Sequence, residues 1–106
     1  MKILVPVDPS DSAHAAVTKA ALMAKLDGSE LTLLAVAETF EDMESLFGGE
    51  ATERMKERAS KALDAAKAQA AAAGIKPKTM LKAGISPEDL ICDAAEKGGF
   101  DLVVMG

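Results

Sequence analysis

Asp8 is the residue best placed to meet a ligand. It follows the run Ile3-Leu-Val-Pro-Val7 and precedes Pro9-Ser10. A carboxylate at the end of a buried first strand can accept hydrogen bonds from ligand hydroxyls, as the acidic residue of dinucleotide folds does for ribose. Asp-Pro-Ser is equally good turn chemistry, so a capping role ahead of a helix fits as well. The residues alone leave both readings open. Gly106, after Met105, permits close approach of the backbone to a phosphate or simply ends a strand in a turn. Gly84 poses the same choice, with turn geometry the expectation.

The remaining reactive side chains are isolated. His14, the single histidine, has no companions for a metal site or a nucleophilic triad and lies one position off an apolar helical stripe, so exposure is expected. Cys92 is the single cysteine and cannot form an internal disulfide. Beside Ile91 and Ala95 in a helical pattern, it is expected to be a buried structural thiol. Nothing matches G-x-S-x-G, a Walker A loop or a paired-cysteine zinc site. No catalytic residue and no metal ligand is assigned.

These positions must be held by alternating strands and helices. Ile3, Leu4, Val5 and Val7 form a near-unbroken apolar run, as in strands covered on both faces. Ser10 stands at a helix N-cap position. Ala13, Ala16, Val17, Ala20 and Ala24 then recur at helical spacing up to the stop at Gly28. Leu31–Ala37 is a second buried strand. The stretch 38–49 is polar and irregular but carries Phe40, Met43, Leu46 and Phe47; a loop of that length is often functional or mobile. A long helix follows, with Met55, Ala59, Ala62, Leu63, Ala66 and Ala70 inward and Gly74 at its end. Lys78–Ala83 is a strand of mixed polarity, expected near a sheet edge. Ser86-Pro-Glu-Asp89 is a strong helix start, close to a capping box. Leu90, Ile91, Ala94 and Ala95 face inward, Gly98-Gly99 stop the helix, and Asp101–Met105 is expected to be a fourth buried strand.

The order β-α-β-α-β-α-β predicts one α/β domain over residues 1–106: an open, Rossmann-like parallel sheet with helices on both faces. Its strand ends converge on one edge at Pro6-Val7-Asp8, Val36-Ala37-Glu38, Ala83-Gly84-Ile85 and Met105-Gly106, the edge where such sheets bind ligands.

Composition narrows the function. The 106 residues are 49% apolar and 27% charged, which marks a globular chain. Aromatics make up 3% and the net charge is −5. Both argue against nucleic acid as a partner, since base stacking and a basic footprint are missing. No apolar stretch approaches the roughly 20 residues of a membrane span, so no membrane partner is expected. Met1-Lys2 runs directly into a strand rather than a signal peptide, and the expected compartment is the cytoplasm.

Four segments together resemble the universal stress protein family: Lys-Ile-Leu-Val-Pro-Val-Asp-x-Ser from Lys2, Leu-Leu-Ala-Val from Leu33, Ala-Gly-x-x-Pro-Glu-Asp-Leu-Ile from Ala83, and Asp-Leu-Val-Val-Met-Gly from Asp101. Each alone is weak, but they run the length of the chain in the right order. The resemblance implies a five-stranded parallel sheet of the adenine nucleotide alpha hydrolase-like type, and usually a homodimer. In the nucleotide-binding branch it implies ATP held by the ends of the first two strands and by a loop of form G-x2-G-x9-G-[S/T]. By position, Pro6, Val7 and Asp8 would contact adenosine, Val36 would offer backbone groups or packing to adenine, and Met105 and Gly106 would lead into the phosphate cradle. The chain stops at Gly106, so the rest of that loop, the fourth helix and the fifth strand are not in this sequence; the expectation is the ordered portion of a longer chain.

The expected function is a cytoplasmic stress-response protein that binds adenine nucleotide (ATP, or AMP or ADP, with Mg2+) as a binding or switch protein. With no general base beside an activated water, any ATPase activity is expected to be slow. The alternative is a nucleotide-free member acting through dimerisation or partner docking. A phosphoacceptor receiver domain is rejected: Pro9 follows Asp8 where an acidic cluster is needed, and the third strand ends in Ala83-Gly84.

Overall fold

The computed structural model describes residues 1–40 and 46–106. Met43 lies outside the described residues. The elements are β1 (Lys2–Val7), α1 (Asp11–Asp27), β2 (Glu30–Glu38), α2 (Gly49–Ala72), β3 (Lys78–Gly84), α3 (Pro87–Lys97) and β4 (Leu102–Val103). They form an all-parallel four-stranded sheet of order β3-β2-β1-β4. The α/β fold with a parallel sheet flanked by helices is the expected one, and β3 stands at an edge as its mixed polarity predicts.

Strand alternation sends the sheet's side chains to two cores. Ile3, Val5, Leu31 and Leu33 pack with α1 and α2 through Val17, Ala20, Ala59, Leu63, Ala66 and Ala70. Leu4 and Leu34 face α3, where Ala94 is buried and Ile91 and Ala95 pack beside them. Alanine on both helices of the first core lets α1 and α2 lie close to the sheet. Gly28 takes the left-handed conformation (φ 73°), and its amide donates to the Ala24 carbonyl, ending α1 as a glycine C-cap does.

Three expectations are corrected. Cys92 is exposed: it sits one residue, and so about 100° of helical rotation, beyond Ile91, and α3 turns it to solvent. The fourth strand covers only Leu102–Val103, and its residues are half-buried. It pairs with β1 alone, so one flank has no neighbour among the described residues. Gly84 is the last residue of β3, not a turn residue, and its φ is not positive. A Cβ there would lie 2.8 Å from Leu90 Cδ1, so the missing side chain makes room for α3 to pack.

At the opposite sheet edge Lys78 donates to the Glu30 carboxylate across β2 and β3. That hydrogen bond, with the lysine's charge, holds the Glu30 carboxyl below its ordinary value of 4.5. A folded-state value below the unfolded one stabilises the fold above the unfolded pKa, and the contribution is lost as pH falls through the folded value. The pair is exposed and its effect is small. Glu30→Gln is expected to lower the urea midpoint slightly at pH 7 and low salt. The difference from the parent should disappear as the medium is acidified below the carboxylate range. A gap that persists in acid would mean that the pair contributes by packing rather than by charge.

Candidate functional site

The β1–α1 turn is the centre of the carboxyl edge. Asp8 Oδ1 accepts a hydrogen bond from the Ser10 amide at 2.9 Å, so Asp8 does close a turn. Ser10 caps α1, its Oγ accepting from the Ala13 amide at 3.1 Å, and lies 3.2 Å from Ser12 Oγ. The second carboxylate oxygen of Asp8 has no partner among the described residues, and the side chain is exposed. The turn role therefore uses one oxygen and leaves the other unengaged among the described residues.

A cleft of about 230 Å³ opens beside this turn, lined by Pro6, Val7, Asp8, Val36, Met105 and Gly106. Every site residue anticipated from the sequence thus meets in one depression. Val7 is buried, while Met105 at 61% exposure stands on the rim. Gly106 lies over the first turn of α1: a Cβ would fall 2.4 Å from the Ser12 carbonyl carbon and oxygen. Only glycine fits so close to that backbone. Gly106 is thereby seated against the N-terminal turn of α1, whose dipole favours negative charge.

Further residues line this edge that the sequence does not single out as site residues, among them Glu38, Pro87, Ile91 and Arg58. Glu38, at the end of β2, and Pro87 and Ile91, from α3, line the same cleft. Glu38 was visible as a strand end. Pro87 and Ile91 read only as a helix start and a core position. Arg58, in mid-α2, carries no motif at all. It lines a second depression of about 440 Å³ with Val7, Asp8, Val36 and Glu38. His14 is exposed on α1, as expected. Among the described residues no three His, Cys, Asp or Glu side chains group to hold a metal ion, and no helix is long and apolar enough to cross a membrane.

A parallel α/β sheet with a concave depression at its carboxyl edge defines a Rossmann-like α/β domain. The model of the universal stress protein family matches residues 1–106, and the chain belongs to that family. It is similar to the universal stress protein UspA from Lactobacillus plantarum at 30% identity and TM-score 0.83, covering 100% of this chain and 76% of that one. A universal stress protein family member from Burkholderia pseudomallei is 25% identical, with TM-score 0.86 over 99% of this chain and 80% of that one. The universal stress protein from Archaeoglobus fulgidus in complex with dAMP shares the fold at 22% identity and TM-score 0.75, over 100% and 80% of the two chains. No curated protein sequence matches the chain.

Proposed function

We propose that this chain binds an adenine nucleotide at the carboxyl ends of β1, β2 and β4 and works as a cytoplasmic binding or switch protein. The convergence of Pro6, Val7, Asp8, Val36, Met105 and Gly106 on one cleft carries this reading. The family and the dAMP complex of the Archaeoglobus fulgidus protein support it.

In this reading Pro6, Val7 and Val36 supply apolar walls and backbone groups for the base. Asp8 accepts from a ribose hydroxyl through its unengaged oxygen. Met105 closes the rim, and Gly106 starts the phosphate path across the α1 N-terminus. The residues present fit the nucleoside end of ATP, and Gly106 packs directly on the first turn of α1, where the phosphate path would begin. Any Mg2+ would be held mainly by phosphate oxygens and water, since the described residues do not group around a metal. Nucleotide phosphates bring the negative charge; the chain supplies orientation and exclusion of water. A slow ATPase at most, and a homodimer, belong to the same reading.

Isothermal titration with adenosine, AMP and ATP tests it. Saturable binding of AMP at one site per chain is expected, with adenosine retaining most of the affinity because the residues present hold the nucleoside. No heat of binding with any of the three at millimolar concentration would sink the proposal and favour a nucleotide-free docking protein.

A further inference from the structure

A third depression, of about 600 Å³, runs between α1 and α2 on the outer side of the β1–α1 turn. Its lower end is closed by Gln69, whose Nε2 donates to the His14 carbonyl at 2.7 Å and to Thr18 Oγ1 at 2.6 Å. Above that clamp the depression lies between the two helices. Between them lies a floor of small apolar side chains, chiefly Ala13, Val17, Ala62 and Ala66. The volume falls in the range of sites for small organic ligands.

The α2 wall carries Arg58 and Lys61, one turn apart and both lining the groove. Among the described residues neither has an ion-pair partner, although the chain's net charge is −5. The acidic groups of the groove, Asp8 and Asp11, sit at its mouth on the α1 side, and Asp8 already accepts from Ser10. An apolar floor with two cations on one wall, unpaired among the described residues, complements a molecule that is apolar along its body and anionic at one end. The guanidinium can take a carboxylate, phosphate or sulfonate in two parallel hydrogen bonds.

We infer that the α1–α2 groove is a second binding site, separate from the nucleotide cleft, for a small amphipathic anion held by Arg58 and Lys61. It shares Val7, Asp8, Ser10 and Ala13 with that cleft but takes its cations from α2, and its occupancy does not require nucleotide.

The test is fluorescence titration with 8-anilinonaphthalene-1-sulfonate and with its uncharged counterpart N-phenyl-1-naphthylamine. The sulfonate is expected to bind saturably at one site per chain. Arg58→Glu with Lys61→Glu should weaken it by about tenfold or more, the loss expected when charge-assisted hydrogen bonds to an anion are replaced by repulsion. The uncharged probe should change little. Both substitutions are on exposed side chains, and circular dichroism checks the fold. As a second variant, Ala65→Leu narrows the groove without touching either charge and should also weaken the sulfonate. Unsaturable binding, equal affinity in the charge-reversed protein, or competitive displacement of the probe by AMP would each overturn the inference. The last would put the probe in the nucleotide cleft, and it reads out independently of whether nucleotide binding is physiological.

Discussion

Leu33→Ala is expected to remove about 2–5 kcal/mol of stability, toward the upper end of that range. Leu33 is fully buried at the centre of β2, paired with Val5 on one side and Thr79 on the other. Its side chain enters the core beneath α1 and α2. The buried neighbours there are mostly alanine: Ala16, Ala20, Ala21 and Ala24 from α1, and Ala59, Ala66 and Ala70 from α2. An alanine cannot swing to a new rotamer and fill a gap, so among the buried helix residues only Val17 and Leu63 can lean into a cavity at Leu33, and closing it further requires moving a helix. That is the circumstance in which a truncation costs more than the transfer free energy of the lost atoms. Small domains are held by about 5–15 kcal/mol in total, so the change removes a large share. Urea denaturation should show a lower midpoint with an unchanged slope. Leu26→Ala is the control. Leu26 is 78% exposed on α1, and its loss should stay within about 0.5 kcal/mol. A cost below about 1 kcal/mol at Leu33 would mean that the alanine layer collapses freely, contrary to the close packing described.

The same alanine layer explains how far the sequence could be read. Ala13, Ala16, Val17, Ala20 and Ala24 are all buried, because helical spacing and a flat sheet surface impose one stripe and no other element competes for it. The ends of the helices were legible for an equally local reason. Gly28 and Ser86-Pro87 satisfy backbone groups within their own turns. Cys92 departs from the expected burial because a short helix with a narrow buried stripe is sensitive to a single step of phase. Only Ala94 is fully buried on α3, so residues adjacent in sequence to the stripe are not adjacent in space to the core. The apolar run at β4 says that the segment prefers burial; it does not say whether a neighbour lies on both flanks. With β1 alone beside it, only Leu102 and Val103 join the ladder.

The site divides along the same line. Parallel topology puts all strand ends on one edge, so Pro6, Val7, Asp8, Val36, Met105 and Gly106 could be grouped before any coordinates. Helix residues that turn toward that edge follow from the splay and rotation of α2 and α3, which no local motif encodes. Arg58 is therefore visible only in three dimensions. Gly106 shows the converse. A glycine at a strand end suggests freedom for a phosphate or for a turn, yet its first constraint is the Ser12 carbonyl beneath it.

Asp8 separates turn chemistry from ligand chemistry, and two substitutions resolve them. Asp8→Ala removes both the acceptor for the Ser10 amide and the oxygen offered to a ligand hydroxyl. It is expected to weaken AMP binding by about 1–3 kcal/mol, or roughly 5- to 150-fold in Kd, the range for losing a buried hydrogen-bond partner. It should also cost about 0.5–1.5 kcal/mol of stability for the lost turn bond. Asp8→Asn keeps an Oδ1 for Ser10 and so should preserve the unfolding midpoint. Its second group is a neutral amide, which cannot replace a carboxylate's stronger acceptance from a hydroxyl. AMP affinity should therefore fall between those of the parent and Asp8→Ala while stability stays at the parent level. Calorimetric titration and urea denaturation, run on the same samples, read the two effects apart. An unchanged AMP affinity in Asp8→Ala, with the fold intact by circular dichroism, would confine Asp8 to its turn and shift the nucleoside contacts onto Val36 and Glu38. A loss of affinity in Asp8→Asn without any loss of stability is the result that only a ligand-facing carboxylate produces.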